Sequence, residues 1–214
     1  MKLRLPKMTW SIAAVLLMAV ALPPTLLAEE PTTNPLSRAS VLRDADIPVI
    51  GNPEGDITIV EYFDYRCPYC KAVNPVLMKV AKEDGKVRIV AKDWPIFGGS
   101  SIYAARMVLA AKYQNKYAQA HDALIAAKTS LSEESVRAIL ATAGVDVAQA
   151  TSDLDTHHET VDGILARNKA QAEAFDFQGT PGFIVGTFRI PMVLSAAEFK
   201  HAIADARSAA ATQK

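Results

Sequence analysis

Cys67 and Cys70 are the two cysteines of this 214-residue chain. They lie in the stretch FDYRCPYCK, residues 63–71, with only Pro68 and Tyr69 between them. Residues at i and i+3 share one face of a helix, so two sulfurs at this spacing can meet without unfolding anything. If Cys67 stands at or just before the first helical position, its sulfur faces unpaired backbone N–H groups and the positive end of the helix dipole. Both favour thiolate, the attacking species in thiol–disulfide exchange. Pro68 suits a first helical turn, where its missing N–H costs nothing. Cys70 lies inside that turn, more covered by backbone, in the position of a resolving thiol. One sulfur forms a mixed disulfide with a partner molecule, and the other releases it.

Two other uses of the pair are weaker. A structural bridge between residues 67 and 70 closes a very short loop and removes little unfolded-chain entropy. The pattern is also half of a zinc site, which needs a second pair of ligands. His157-His158-Glu159 is the only local cluster of such residues. Adjacent helical residues point in different directions, so the cluster reads as a solvated helix face and no metal site is expected.

The pair needs a strand to deliver it and a helix to receive it. ITIVEYF (57–63) is a β-branched and aromatic run of buried-strand type. From 68 to 81, Val73, Val76, Leu77 and Val80 recur at helical spacing, with Asn74-Pro75 expected to kink the helix. VRIVAKD (87–93) is a second strand. The cysteines therefore fall at a strand-to-helix junction of a strand–helix–strand unit. Beyond Gly98-Gly99 an alanine-rich block predicts helices over 102–114, 117–128, 132–144, 146–153 and 156–175, with Ser132 a start and Gly144 a stop. GTPGFIVGTFRI (179–190) predicts a hairpin about Gly186-Thr187, and 195–210 a last helix. Residues 29–47 are mostly polar and read as a linker or a short, loosely attached N-terminal element.

Lys2, Arg4 and Lys7, then the uncharged run from Trp10 to Leu22, then Ala28, read as a secretory signal over residues 1–28, too short to span a bilayer comfortably. Its removal takes three basic residues from a chain of formal charge 0 and leaves −3. That balance gives no reason to expect nucleic acid as a partner. The mature chain is about one domain, with 50% apolar residues in the full sequence to build its core. Export implies an oxidising compartment, where structural disulfides link distant segments. With no distant cysteine to link, a reactive pair is the better reading.

Together, EYFDYRCPYCK after an apolar strand, DWPIFGGSS after the next, a helical block, and GTPGF before a hairpin resemble the DsbA-like thiol:disulfide oxidoreductases of the thioredoxin superfamily. The resemblance runs over about 48–209. It implies an α/β, thioredoxin-like fold, residues 48–98 and 176–214, with an inserted helical subdomain at 99–175. It further implies that Cys67 is an exposed nucleophile, Cys70 its buried partner, and Pro68-Tyr69 the dipeptide that tunes redox potential. Thr180-Pro181 would be a cis peptide in a loop against the cysteines, with Thr180 offering backbone groups to an extended substrate. Glu61 falls where related proteins carry a buried acid, and Lys92 could partner it; the pair would relay a proton or tune Cys70, or be a structural ion pair. Tyr65 and Arg66 flank the site and are expected to touch substrate, on a face that should be apolar if unfolded chains are bound. Trp94-Pro95-Ile96-Phe97 reads as a core connection, and His121-Asp122 as packing rather than a catalytic dyad.

The function so implied is thiol–disulfide exchange with cysteine-containing exported proteins in the periplasm of a Gram-negative bacterium. The favoured direction is disulfide donation. No dissociable cofactor is expected, and a membrane redox partner would recycle the pair. Isomerase or reductase activity, as in family members linked to copper tolerance, is the first alternative. A Cu(I)-binding protein holding the ion between two thiolates is the second.

Overall fold

A computed structural model describes residues 34–212. The expected signal segment lies outside the described residues. The elements in order are α1 (Arg38–Leu42), β1 (Ile50–Gly51), β2 (Ile57–Phe63), α2 (Pro68–Asp84), β3 (Val87–Asp93), α3 (Gly99–Ala110), α4 (Tyr117–Ile125), α5 (Glu133–Thr142), α6 (Val147–Ala174), β4 (Gly182–Val185), β5 (Phe188–Ile190) and α7 (Ala196–Ala211). A 3-10 turn, Ala111–Gln114, follows α3.

The strands form one sheet in the order β1-β3-β2-β4-β5. β2 and β3 are parallel, joined by α2, and every residue of both is buried. Continuous apolar runs suit strands covered on both faces, which is why these two strands were readable from composition. β1, β4 and β5 pair antiparallel to their neighbours. α3 to α6 all fall between β3 and β4, the inserted helical block of the expected α/β fold. Among the described residues no helix is long and apolar enough to cross a membrane.

The α2 helix contains Pro75 and ends where the Asp84-Gly85 pair predicts, at Gly85, which takes a left-handed φ of 75°. The two helices predicted over 146–153 and 156–175 are joined end to end in α6, with a kink between them at His157, whose backbone is non-helical. One expectation changes. Residues 34–47 are packed rather than loosely attached. Val41, Leu42 and Ile47 are buried, and Asp44 accepts from Lys92 at 2.7 Å and from Arg167 at 3.0 Å. The polar composition of this segment hid its anchoring, because its few apolar residues are scattered and its buried carboxylate finds its partners far along the chain.

That ion pair also corrects the role expected of Lys92. In the parallel register Glu61 lies opposite Ala91 and Tyr62 opposite Lys92. Successive strand residues face opposite sides of a sheet, so Glu61 and Lys92 point away from each other. Lys92, wholly buried, donates instead to Asp44, to Ser40 O at 3.0 Å and, more weakly, to Asn168 at 3.4 Å.

Candidate functional site

The chain leaves β2 at Phe63 and must turn sharply into α2. Asp64 organises that turn. Its carboxylate accepts from the Arg66 amide at 2.7 Å, two residues on, and its carbonyl from the Cys67 amide at 3.0 Å. Such local bonds are what favour Asp in turns. The same carboxylate accepts from the amides of Ile96 and Phe97 and from the Ser101 hydroxyl, at 2.7, 3.0 and 2.7 Å. Asp64 thus ties the cysteine turn to the start of α3. It was missed in the sequence, although an Asp three residues before a helix-capping Cys is a readable turn signal.

Cys67 is the N-cap of α2, with Pro68 in its first turn. Its sulfur accepts from the Cys70 amide at 3.4 Å and lies 3.2 Å from the Thr180 carbonyl, to which the thiol form donates. Both cysteines are unbridged, so the dithiol form is the one described. The Thr180-Pro181 peptide is cis. The Thr180 carbonyl contact sets this loop against Cys67, so the structure brings together Cys67, Cys70, Thr180 and Pro181.

The two thiols are driven apart in acidity. The Cys70 side chain beside it, above all, holds Cys67 down at about 6 from an ordinary 9.0; burial opposes this, and the amides of Cys70 and Tyr69 assist. Cys70 is pushed far up, chiefly by burial, then by the hydrogen bond it gives to Cys67 and by the charge of Glu61. Helix-end amides contribute as the sequence implied, but the twin thiol contributes more. Glu61, 2% exposed, has one carboxyl oxygen without a partner. Burial first, and then the charge of Cys67, raise it to about 8 from 4.5. It is a neutral acid at pH 7.

The other predicted residues sort unevenly. Cys67 is covered, at 1% exposure, and not the open nucleophile expected; the exposed member of the motif is Tyr69, at 65%. Tyr65 cannot touch substrate: it is buried, edge-on to Phe63, with its hydroxyl 3.1 Å from His121 Nδ1. Strand alternation carried past the end of β2 sends it inward. Arg66 is exposed and donates to the Phe97 carbonyl. His121 packs among Phe63, Tyr65 and Tyr117, and burial lowers it to about 4. His157 stacks on Tyr113 at 4.0 Å, and among the described residues no cluster of three or more His, Cys, Asp or Glu could hold a metal ion. Trp94 is core as expected, but Ile96 and Phe97 are exposed, since Asp64 holds their backbone at the surface. A recess of about 500 Å³ beside the pair is walled by Tyr69, Thr180, Pro181, Met192 and Val193. Met192 and Val193 are exposed apolar residues that the sequence reading did not single out.

A family profile described as thioredoxin matches residues 44–205. The structure is similar to that of a thioredoxin-like oxidoreductase from Silicibacter pomeroyi DSS-3, with TM-score 0.77 and 37% identity, covering 80% of this chain and 98% of that one. The sequence is 27% identical over 147 residues to the thiol:disulfide interchange protein DsbA of Bordetella parapertussis, covering 65% of this chain and 68% of that protein. It is also 26% identical over 140 residues to the Na(+)/H(+) antiporter NhaA 1 of Mycolicibacterium gilvum, covering 64% of this chain but 23% of the antiporter. The chain thus spans about a quarter of the length of those antiporter relatives.

Proposed function

Because the chain belongs to the DsbA-like thioredoxin family, we propose that it is a periplasmic thiol:disulfide oxidoreductase that donates its Cys67–Cys70 disulfide to exported proteins. The observation that carries this reading is the placement of Cys67 as the N-cap of α2, its sulfur accepting from the Cys70 amide at 3.4 Å and lying against the Thr180 carbonyl.

In the proposed cycle a substrate thiolate attacks Cys67 of the oxidised pair. The Cys67–Cys70 bond breaks, a Cys67–substrate bond forms, and the Cys70 sulfur leaves. Cys70 is a poor thiolate, so it must be protonated as it departs. Glu61, neutral at pH 7 and electrostatically coupled to Cys70, supplies that proton. A second substrate thiolate then attacks the substrate sulfur of the mixed disulfide. Cys67 leaves as a thiolate, and its low pKa makes it a good leaving group. The substrate loses two electrons and two protons: the cysteine pair gains the electrons, one proton replaces the one Glu61 gave to Cys70, and the other goes to solvent because Cys67 leaves as a thiolate. Stabilising the Cys67 thiolate stabilises the reduced protein, which makes the disulfide more oxidising. This favours donation over reduction. The pair is itself the redox carrier, so the reading needs no dissociable cofactor, and a membrane redox partner would reoxidise it.

An extended substrate segment is proposed to lie along the Thr180-Pro181 loop by strand addition, with apolar side chains against Tyr69, Met192 and Val193. Location in the periplasm is supported by the leader-like residues 1–28 and by the need of such a pair for an oxidising compartment. The test is a pair of variants. Cys67→Ser abolishes exchange, whereas Cys70→Ser accumulates mixed disulfides with substrate. Wild-type turnover in both would overturn the mechanism. A redox equilibrium with glutathione, run beside insulin-reduction and scrambled-ribonuclease assays, decides between donor and isomerase. Tight one-to-one Cu(I) retention without exchange would point to a copper-binding protein instead.

A further inference from the structure

A second recess, of about 590 Å³, borders Pro68 and shares no lining residue with the apolar one beside Tyr69. Its wall carries three cations, Arg66, Lys71 and Lys128, and no carboxylate. Most of the basic residues mapped elsewhere on the fold are paired: Lys92, Arg106, Arg167 and Arg207 all hold aspartates. These three have no carboxylate partner among the described residues. Lys71 donates to the Ala127 carbonyl and Arg66 to that of Phe97. An ammonium has three donors and a guanidinium five, so both keep capacity for a ligand. The one acid whose charge acts on Lys71, Asp64, is buried and engaged with Arg66, Ile96, Phe97 and Ser101. A concentration of unpaired positive charge beside the reactive cysteine, on a chain with no net positive charge, calls for an anionic occupant.

We propose that the Arg66, Lys71 and Lys128 recess binds acidic side chains next to the reacting cysteine of the substrate, so that the protein prefers substrate cysteines flanked by aspartate or glutamate on one side. This rests on the exchange function proposed above and names a substrate class for it. The apolar recess takes the other flank, so the substrate is read as apolar on one side of its cysteine and acidic on the other. The cationic wall also steers acidic segments from solution, an effect that salt suppresses.

The experiment uses the oxidised full-length protein and dithiol peptides that differ only in two residues beside the reacting cysteine, Asp-Glu against the near-isosteric Asn-Gln. The two residues are placed before the cysteine in one pair and after it in another. Two or three exposed ion pairs of ordinary strength amount to about tenfold in kcat/KM at low salt. That preference is expected for one placement only, and should fall to near parity in about 1 M salt, where the screening length is about 3 Å. In a Lys71→Gln/Lys128→Gln double variant, checked for an unchanged melting temperature, the acidic-to-neutral ratio falls toward one at low salt. Equal oxidation of both peptides by the wild type, or a preference that survives the double variant, overturns the inference and leaves the exchange reading intact. Oxidation of neither peptide sinks the exchange reading and this inference with it.

Discussion

Replacing Glu61 by glutamine should stabilise the reduced protein and slow disulfide donation by the oxidised one, and the stability gain should depend on pH in a calculable way. Glu61 is fully enclosed, and its carboxyl is raised from an ordinary 4.5 to about 8, first by burial and then by the Cys67 charge. A raised folded pKa means that the protonated acid is the form the fold accommodates. Its stability is fully present below pH 4.5 and is lost as the pH rises towards 8, because the unfolded chain ionises there and the folded chain does not. Each unit is worth about 1.4 kcal/mol, so at pH 7 the native glutamate costs about 3 kcal/mol relative to a residue that never ionises. Glutamine has the same shape and no ionisation. The gain from Glu61→Gln should therefore be near zero at pH 4.5, about 3 kcal/mol at pH 7, and level off above pH 8. Chemical denaturation of the reduced proteins across this range measures it. Mixed-disulfide formation, which needs a proton delivered to Cys70, should slow by about a hundredfold, the usual scale of one general acid. A stability difference that is flat with pH would refute the burial argument. A stability gain with unchanged exchange would refute the proton-delivery role alone.

Cys70→Ala should raise the Cys67 pKa by about one to two units, the worth of a hydrogen bond to a charged group, read from the pH dependence of thiolate absorbance. If helix-end amides alone acidified Cys67, the value would not move. Lys92→Met should destabilise the protein by about 2–4 kcal/mol, less than a fully orphaned buried charge costs because Arg167 still holds Asp44. Its glutathione equilibrium should match the wild type, since Lys92 faces away from the pair; a shifted redox constant would contradict the strand register. Arg207→Ala should cost about 1–2 kcal/mol, because Arg207 bridges Asp56 and Asp84 at a partly exposed site. Both aspartates are held below 3.8, chiefly by their hydrogen bonds to Arg207. That stability is present above pH 4 and lost as the pH falls further, so wild type and variant should converge in acid.

Where one physical signal dominated, the sequence was enough. The 57–63 and 87–93 runs are apolar because both sheet faces are covered, and they matched β2 and β3 to the residue. Ser132 and Ser195 cap α5 and α7 because their side chains accept from backbone amides three residues on. The position of Cys67 at the mouth of α2 followed from Pro68, and the cis Thr180-Pro181 bond from the family resemblance. What stayed hidden depends on register and on distant partners. Whether Glu61 and Lys92 share a face is a matter of strand pairing, which composition does not encode. Asp44 looked like part of a polar linker because its partners, Lys92 and Arg167, are far along the chain. Tyr65 looked accessible because it flanks the motif, whereas the turn sends it inward to His121. The cationic recess joins Arg66 and Lys71 to Lys128 across the helical insertion, and no short window of sequence contains it.

The most direct test is the pH dependence of Cys67 alkylation in the reduced wild-type protein. If the Cys70 thiol and the α2 amides hold its sulfur as a thiolate, reactivity should reach half its maximum near pH 6. A midpoint near 9, that of an ordinary cysteine, would contradict the account at its root.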